Sequence, residues 1–396
     1  MCIRDSPTGW TSPDYDRLVA QSHDAADPAA RRELLDRAEA LLVDQAPVVP
    51  IFHYVAHNLI KPFVKGVNLT TRDIHPLQGV TLEGPGAPAD GVLIFNGGAE
   101  PQSLDPAMST DIAGYKILMH LYEGLVMPDA VEAKPAPALA ERWDVSPDGL
   151  VWTFHLRDAK WSNGDAVTAR DFVWSWRRVV TPATASRYAQ RMYVVKGARE
   201  IARDKADPST LGVRAVDDRT LEVTLVRRTP YFPQLLCMNL YFPVHRPTVE
   251  RLGRDWWTKV DQAVVNGPYR MADWTLKEKK TFVKNPSYRA AKDVKLAKFV
   301  FLAVEKAETA FTLYETGACH WLFRVPLGFV DIPRPDHQVN AYNVVYYYAF
   351  NVKKKPLDDP RVRKALGLVI EREKIVKHIL RGGETAAERL VPPPSR

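Results

Sequence analysis

The sequence predicts a mixed α/β fold, and three observations carry that expectation. Trp152, Phe154 and Leu156 alternate with Val151, Thr153 and His155 after a Pro147-Asp148-Gly149 turn, which is the period of a half-buried strand. Leu221, Val223 and Leu225 alternate in the same way after Asp217-Asp218. Helical spacing fills the stretches between such runs, which argues for α/β layers rather than a helical bundle or an all-β sandwich. At 396 residues the chain has room for roughly two or three domains.

The elements follow in order. Met1 to Ser6 has the look of a spurious leader of the kind found at the ends of translated metagenomic assemblies, and it is set aside from fold reasoning. Ser12-Pro13 is a cap followed by proline at the first helical position, with Tyr15, Leu18, Val19 and Ser22 on one face. Asp27-Pro28 repeats the signal; Leu34, Leu35, Ala38, Leu41 and Leu42 then form an apolar stripe that ends before Pro47. Val48 to Ile60 reads as extended, and Pro50 within it suits an edge or a lobe-crossing strand. Glu83 to Asp90 has linker composition, so a boundary is expected there. Val92 to Phe95 and Leu296 to Val304 are further strands. Pro360 to Leu380 reads as one helix with Val362, Leu366, Val369 and Ile370 inward. The chain stops at Pro392-Pro393-Pro394-Ser395-Arg396, a poor place for a domain to end.

Composition narrows function more than it defines it. The chain is 46% hydrophobic and 26% charged, as a globular protein is, and its net charge of +7 comes from scattered basic residues. No recognised module or basic stripe interleaved with aromatics accompanies that charge, so nucleic acid is not an expected partner. Cys2, Cys237 and Cys319 form neither a redox pair nor a metal spacing. No apolar run approaches the roughly 20 residues that span a bilayer, and no secretory signal pattern opens the chain.

Catalytic constellations are missing too. His53 and His57 have the spacing of a zinc helix, but no Glu follows His53 and the surroundings look extended. Asn96-Gly97-Gly98 lacks the Lys-Ser/Thr of a phosphate loop, and there is no Gly-x-Ser-x-Gly elbow. Asp217-Asp218 and Asp358-Asp359 sit in turns, where capping or solvation is their expected role. Cys319 and His320 are adjacent in an expected strand and would face opposite ways. Neither an enzyme nor a cofactor is expected.

The run from Trp161 to Arg177 combines a turn at Asn163-Gly164, a capping box of Thr168 with Asp171, and a helix. Phe172, Val173 and Trp176 share a face of that helix, while Arg170, Arg177 and Arg178 can stay wet. This run resembles the signature of the oligopeptide-binding proteins that serve ABC importers. From Gly91 onward the resemblance is continuous with the N-terminal part of that family, through Glu100-Pro-Gln-Ser-Leu-Asp-Pro106, Tyr122-Glu-Gly-Leu125, Leu139-Ala-Glu-Arg-Trp143, Asn266-Gly-Pro-Tyr269, Tyr346-Tyr-Tyr-Ala-Phe-Asn351 and Asp359-Pro-Arg-Val-Arg363. Thr8 to Pro76 resembles the family's C-terminal end instead, through Thr8-Gly-Trp-Thr-Ser-Pro-Asp-Tyr-Asp16, Ala38-Glu39 and Val48-Val-Pro-Ile-Phe-His-Tyr54. The order is inverted. Joined gene fragments, or an assembly product, account for it better than circular permutation, because permutation does not remove the central part of a lobe.

The resemblance implies a two-lobed α/β fold, periplasmic-binding-protein-like and of the large peptide-binding class, with the second lobe truncated. It assigns 7–54 to the end of lobe II, 55–80 to a return segment, 81–90 to a linker, 91–343 to lobe I with an inserted subdomain at about 124–247, and 344–396 to the beginning of lobe II. It implies capture of an oligopeptide between the lobes by strand addition, delivery to ABC permease subunits, a monomeric state, and a place in the periplasm or on a cell-surface lipid anchor. Thr110, Asp111 and Ile112 would form the lobe I strand that pairs with the peptide, and Tyr188 would close over it. Arg324 would lie near the cleft, Tyr347 and Ala349 would line side-chain pockets, and Tyr54 would sit on the last crossover strand. Ala349 departs from an acidic pocket residue of some relatives, so no preference for basic side chains is implied. The missing lobe II segment carries the carboxylate that anchors the peptide's amino group, so impaired binding is expected. Nickel, an opine or an oligosaccharide is the alternative ligand within the superfamily, and a non-binding rearranged fragment is the alternative outcome.

Overall fold

The computed structural model describes residues 8–25 and 27–393. The chain divides into two compact units, one of residues 58–70 and 74–325 and the other of 1–57, 71–73 and 326–396.

The larger unit is built on the strand Val92–Asn96, which pairs in parallel with Lys298–Leu302 on one side and with Trp321–Leu322 on the other. Lys279–Lys284 and Tyr269–Thr275 extend the sheet antiparallel beyond Lys298–Leu302. Leu93, Phe95, Phe299 and Phe301 fill its core. The two alternating runs of the sequence form a second, antiparallel sheet, with Leu221 opposite Phe154 and Val223 opposite Trp152. Their apolar side chains point one way because successive strand residues alternate faces; Phe154, Leu221 and Val223 are fully buried.

The helix Ala169–Val180 opens with the capping box expected of it: Thr168 N–H and Oγ1 both donate to Asp171 Oδ2, at 2.7 and 3.2 Å. Phe172 and Trp176 are buried, and Trp176 Nε1 donates to the Tyr241 carbonyl at 2.9 Å. Trp152 and Trp161 are buried with them. Arg178 does not stay wet. Its side chain is 16% exposed and is paired with the buried Asp105.

In the smaller unit Ser12 Oγ accepts from the Tyr15 N–H at the head of helix Pro13–Asp24. Asp27 caps helix Pro28–Gln45, which ends where Ala46 turns left-handed at φ 48°. The stripe on this second helix is narrower than expected. Ala38 and Leu42 are buried but Leu35 is exposed, and Glu39 is buried instead, accepting from the Val391 N–H at 2.8 Å. The strand Val48–Ile60 then carries the chain from one unit to the other at His57.

Two further expectations fail. Pro360 to Leu380 is not one helix: Pro360–Leu368 is α-helical, followed by the short helix Arg372–Lys374 and the π-turn Ile375–Leu380. Its inward face is also a different one. Arg363 is buried and donates to the carbonyls of Ala46, Leu357 and Gln45 at 3.1, 2.7 and 2.5 Å, and that anchor rolls Leu366 and Val369 outward. Cys319 and His320 lie just before the strand Trp321–Leu322 rather than within a strand. Burial pushes the Cys319 thiol up to about 11, which makes it a packing group and not a nucleophile.

Candidate functional site

The segment Glu100–Ile112 follows the strand Val92–Asn96 and is held by ion pairs at Glu100 and Asp105. Glu100 pairs with Lys280 at 2.5 Å, and the lysine is fully buried; burial pulls its pKa down, while Glu100 opposes that shift. Asp105, also buried, takes Arg178 Nη1 on Oδ1 at 2.9 Å and Trp256 Nε1 on Oδ2 at 3.3 Å. It also accepts from the Ala107 N–H at 3.0 Å, which bends the chain above it. Asn239 Nδ2 donates to the carbonyls of Pro106 and Ser109 at 2.8 and 3.1 Å. A loop held by its buried carboxylate and by the carbonyls of Pro106 and Ser109 is preorganised, since each buried polar group would cost free energy if released.

A third pair joins the buried Glu123 to Arg289 at the surface. Glu123 binds Arg289 Nε at 2.8 Å and Tyr288 Oη at 2.9 Å, while Asn266 clasps its backbone at N–H and C=O with 3.1 and 2.9 Å bonds. Gly267 lies so close beneath that a Cβ there would meet Leu121 C at 2.5 Å. The sequence motifs around Glu100, Glu123 and Asn266 are therefore structural braces, and the segment that leads to Thr110 is held by Asp105 and Asn239.

The segment at Thr110 is not a strand. Asp111 has extended backbone but caps the helix Ile112–Leu121, its Oδ1 accepting from the Gly114 N–H at 2.6 Å. The reason is the carboxylate itself, which satisfies a first-turn amide that a strand would leave for a neighbour. Ile112 opens the helix with 63% of its surface exposed. Tyr188 meets this segment, donating from Oη to the Thr110 carbonyl at 3.4 Å. Among the described residues no partner engages the main-chain N–H of Thr110 or of Asp111. The arrangement thus offers two adjacent backbone donors on a rigid loop, beside an apolar side chain and a tyrosine ring. Arg324 belongs to the same unit and is exposed.

The remaining candidates lie in the smaller unit. Tyr54 stands two residues from Phe52 on the strand Val48–Ile60, and the two rings meet edge-on at 4.9 Å. Tyr346, on the strand His337–Ala349, stacks on Phe52 at 5.1 Å and meets Tyr54 at 6.4 Å. Strand alternation puts Tyr347 and Ala349 on the opposite face from Tyr346, and both are exposed. Tyr54 is therefore grouped with Tyr346, which opens the tyrosine motif but was not among the expected ligand-binding residues, and not with Tyr347 or Ala349. The signal for Tyr346 was available in the alternation of the tyrosine run.

The two histidines at zinc-helix spacing have other partners. His53 Nε2 lies 2.9 Å from the Arg389 carbonyl, and His57 Nδ1 lies 3.0 Å from His337 Nε2. Glu384 is held low despite its burial by His57 and the Gly382 N–H, and burial together with His57 lowers His337.

Comparison with known proteins places this geometry. A sequence model described as bacterial extracellular solute-binding proteins, family 5 Middle, matches residues 134–396. The periplasmic oligopeptide-binding protein OppA of Escherichia coli is 38% identical over 310 residues, covering 76% of this chain and 56% of the relative. The probable deoxycholate-binding periplasmic protein YgiS of the same species is 37% identical over 309 residues, covering 76% of this chain and 57% of that protein. Among solved structures, OppA of Burkholderia pseudomallei aligns with a TM-score of 0.66 at 35% identity over 74% of this chain and 58% of the other. Haemophilus influenzae OppA in complex with the peptide RPPGFSPFR aligns with a TM-score of 0.63 at 36% identity, over 74% and 58%. The fold is of the OppA type, and the chain spans little more than half the length of these relatives. The chain belongs to the bacterial extracellular solute-binding proteins of family 5.

Proposed function

We propose that this chain captures oligopeptides outside the cytoplasm for an ABC importer, using main-chain hydrogen bonds at Thr110 and Asp111 as the sequence-independent part of recognition. The observation that carries the reading is the pair of unengaged N–H groups on the braced loop, with Tyr188 fixed against the Thr110 carbonyl. An extended peptide presents main-chain carbonyls that either donor can take, and pairing through the main chain tolerates any side chain. Ile112 offers apolar contact to one peptide side chain. Among matched relatives the oligopeptide-binding, dipeptide-binding and murein peptide-binding proteins are named for such ligands, which supports the class. The periplasmic names of several relatives support the location, and no helix among the described residues is long and apolar enough to cross a membrane.

Affinity in this chain is proposed to be weak. Two neutral backbone hydrogen bonds contribute about 0.5 to 1.5 kcal/mol each, far from the roughly 8.2 kcal/mol of a micromolar complex. The assignment of 7–54 and 344–396 to one lobe and of 91–343 to the other belongs to the same proposal; Phe52 and Tyr54 packing on Tyr346 supports the first grouping.

A thermal-shift panel tests the reading. Tri- to pentapeptides at millimolar concentration are expected to raise the Tm, since a ligand at one hundred times its Kd stabilises by about 2.7 kcal/mol. A shift with nickel, deoxycholate or oligosaccharides and none with peptides would overturn it.

A further inference from the structure

Three side chains of the smaller unit meet where the chain is about to leave it. His57 is the last residue of that unit on the strand Val48–Ile60, His337 opens the strand His337–Ala349, and Glu384 stands just before the short strand Thr385–Ala386. His57 Nδ1 lies 3.0 Å from His337 Nε2, with the ring centroids 5.2 Å apart. On the other side of its ring, His57 Nε2 lies 3.8 Å from Glu384 Oε1, at ion-pair range but beyond a hydrogen bond. The side chains of His57 and Glu384 are only 10% and 7% exposed, so water does little to screen this contact. The turn is fitted to the ring: Glu384 Oε2 accepts from the Gly382 N–H at 3.1 Å, and a Cβ on Gly382 would lie 2.5 Å from His57 Nε2. Thr385 then pairs with His53 on the same strand as His57. One imidazole thus joins three separate stretches of chain.

Proton counting gives the contact its chemistry. A hydrogen bond between two ring nitrogens needs one donor and one acceptor, and a neutral imidazole supplies either. One extra proton is also accommodated, since a His57 cation donates from Nδ1 to His337 and sets the charge at Nε2 against the Glu384 carboxylate. A second is not. Both facing nitrogens would then be donors, on two cations 3.0 Å apart. The surrounding charges are already engaged: Arg334 pairs with Asp336 at 2.9 Å, Arg381 pairs with Asp331 at 3.1 Å, and His53 faces the Arg389 carbonyl. Burial, His57 and Arg334 lower the pKa of His337 from its usual 6.5, against the opposing pull of Asp336. The stability this contact contributes is therefore complete above pH 6.5 and is lost as the pH falls through the lowered value.

We propose that His57, His337 and Glu384 form a proton-operated latch, which fastens the strands Val48–Ile60 and His337–Ala349 and the 382–386 turn together near neutral pH and releases them when both imidazoles are charged. The inference goes beyond peptide capture and uses none of its residues. Hydrogen exchange of the full chain tests it, compared at about pH 7 and about pH 4.5, with each rate divided by the intrinsic rate at that pH. Glu384, whose pKa is lowered from 4.5, keeps most of its charge at the acid end, so the change reads the histidines. Protection at 54–57, 338–341 and 384–387 is expected to fall about tenfold or more on acidification, while that of 38–42 in the helix Pro28–Gln45 changes less than about threefold. His337→Gln, which keeps a neutral hydrogen-bonding side chain at every pH, is expected to retain the protection seen at neutral pH and to abolish the fall.

Unchanged protection in the parent would overturn the proposal, and so would an equal fall at 38–42, which would mean that the whole unit opens. The same fall in His337→Gln would overturn it as well. Should that variant not fold, the imidazole nitrogen shifts of the parent replace it. His57 and His337 are expected to titrate in two separate steps, because the first proton opposes the second, and a single common step overturns the proposal.

Discussion

Arg178 shows how a single residue can be misread from sequence. At helical spacing it falls beside Arg177 on what reads as a wet face, but the acid that captures it lies 73 positions away in the chain, beyond the reach of local pattern. Removing it leaves Asp105 buried and uncompensated, so Arg178→Ala is expected to cost about 3 to 5 kcal/mol of stability in urea unfolding. His120 makes the opposite case. Its ring is fully buried against Tyr269 and Phe299 at 6.0 and 5.4 Å, and burial, aided by His75, lowers its pKa from 6.5 to about 3. The unfolded chain takes up a proton below about 6.5 that the folded chain refuses until about 3. Stability is therefore complete above pH 6.5 and falls as the pH is lowered towards 3. His120→Phe keeps the aromatic contacts and removes the proton, so unfolding midpoints measured between pH 7 and pH 4 are expected to vary less than in the parent.

At the scale of elements, legibility followed the range of the interactions. The helix Ala169–Val180 was readable because its cap, its turn and its apolar face are all encoded within a dozen residues. Thr168→Ala is accordingly expected to cost about 1 kcal/mol, seen as a lower thermal midpoint with native far-UV circular dichroism. The Pro360–Leu368 helix was also foreseen, but with the wrong face inward. Periodicity identifies an apolar stripe without saying what covers it, and here four backbone carbonyls, those of Gln45, Ala46, Leu357 and Asp358, decide the orientation by taking Arg363. Thr110–Ile112 failed as a strand for a related reason. Asp111 is a helix cap whose partner, the Gly114 N–H, is local and could have been read from an Asp three residues before that glycine. The candidate residues Thr110 and Tyr188 do come together, while Tyr54 joins Tyr346 through a pairing that only the fold of the smaller unit creates.

At the scale of the whole molecule, the motifs around Glu100, Asp105 and Glu123 are built into ion pairs. Glu100 is neutralised by the buried Lys280, Asp105 by Arg178 and Glu123 by Arg289, and the first two lie in the segment that leads to the candidate donors. Disturbing those braces is expected to act on folding, whereas Tyr188→Phe is expected to weaken peptide capture while leaving the unfolding free energy within about 1 kcal/mol, the worth of one hydrogen bond. The measurement that bears most directly on peptide capture is a titration of the isotope-labelled chain with a tripeptide, followed by amide chemical shifts. The account predicts saturable shifts centred on Thr110, Asp111 and Ile112, with a Kd well above one micromolar. Millimolar peptide that leaves those three amides unmoved would contradict it.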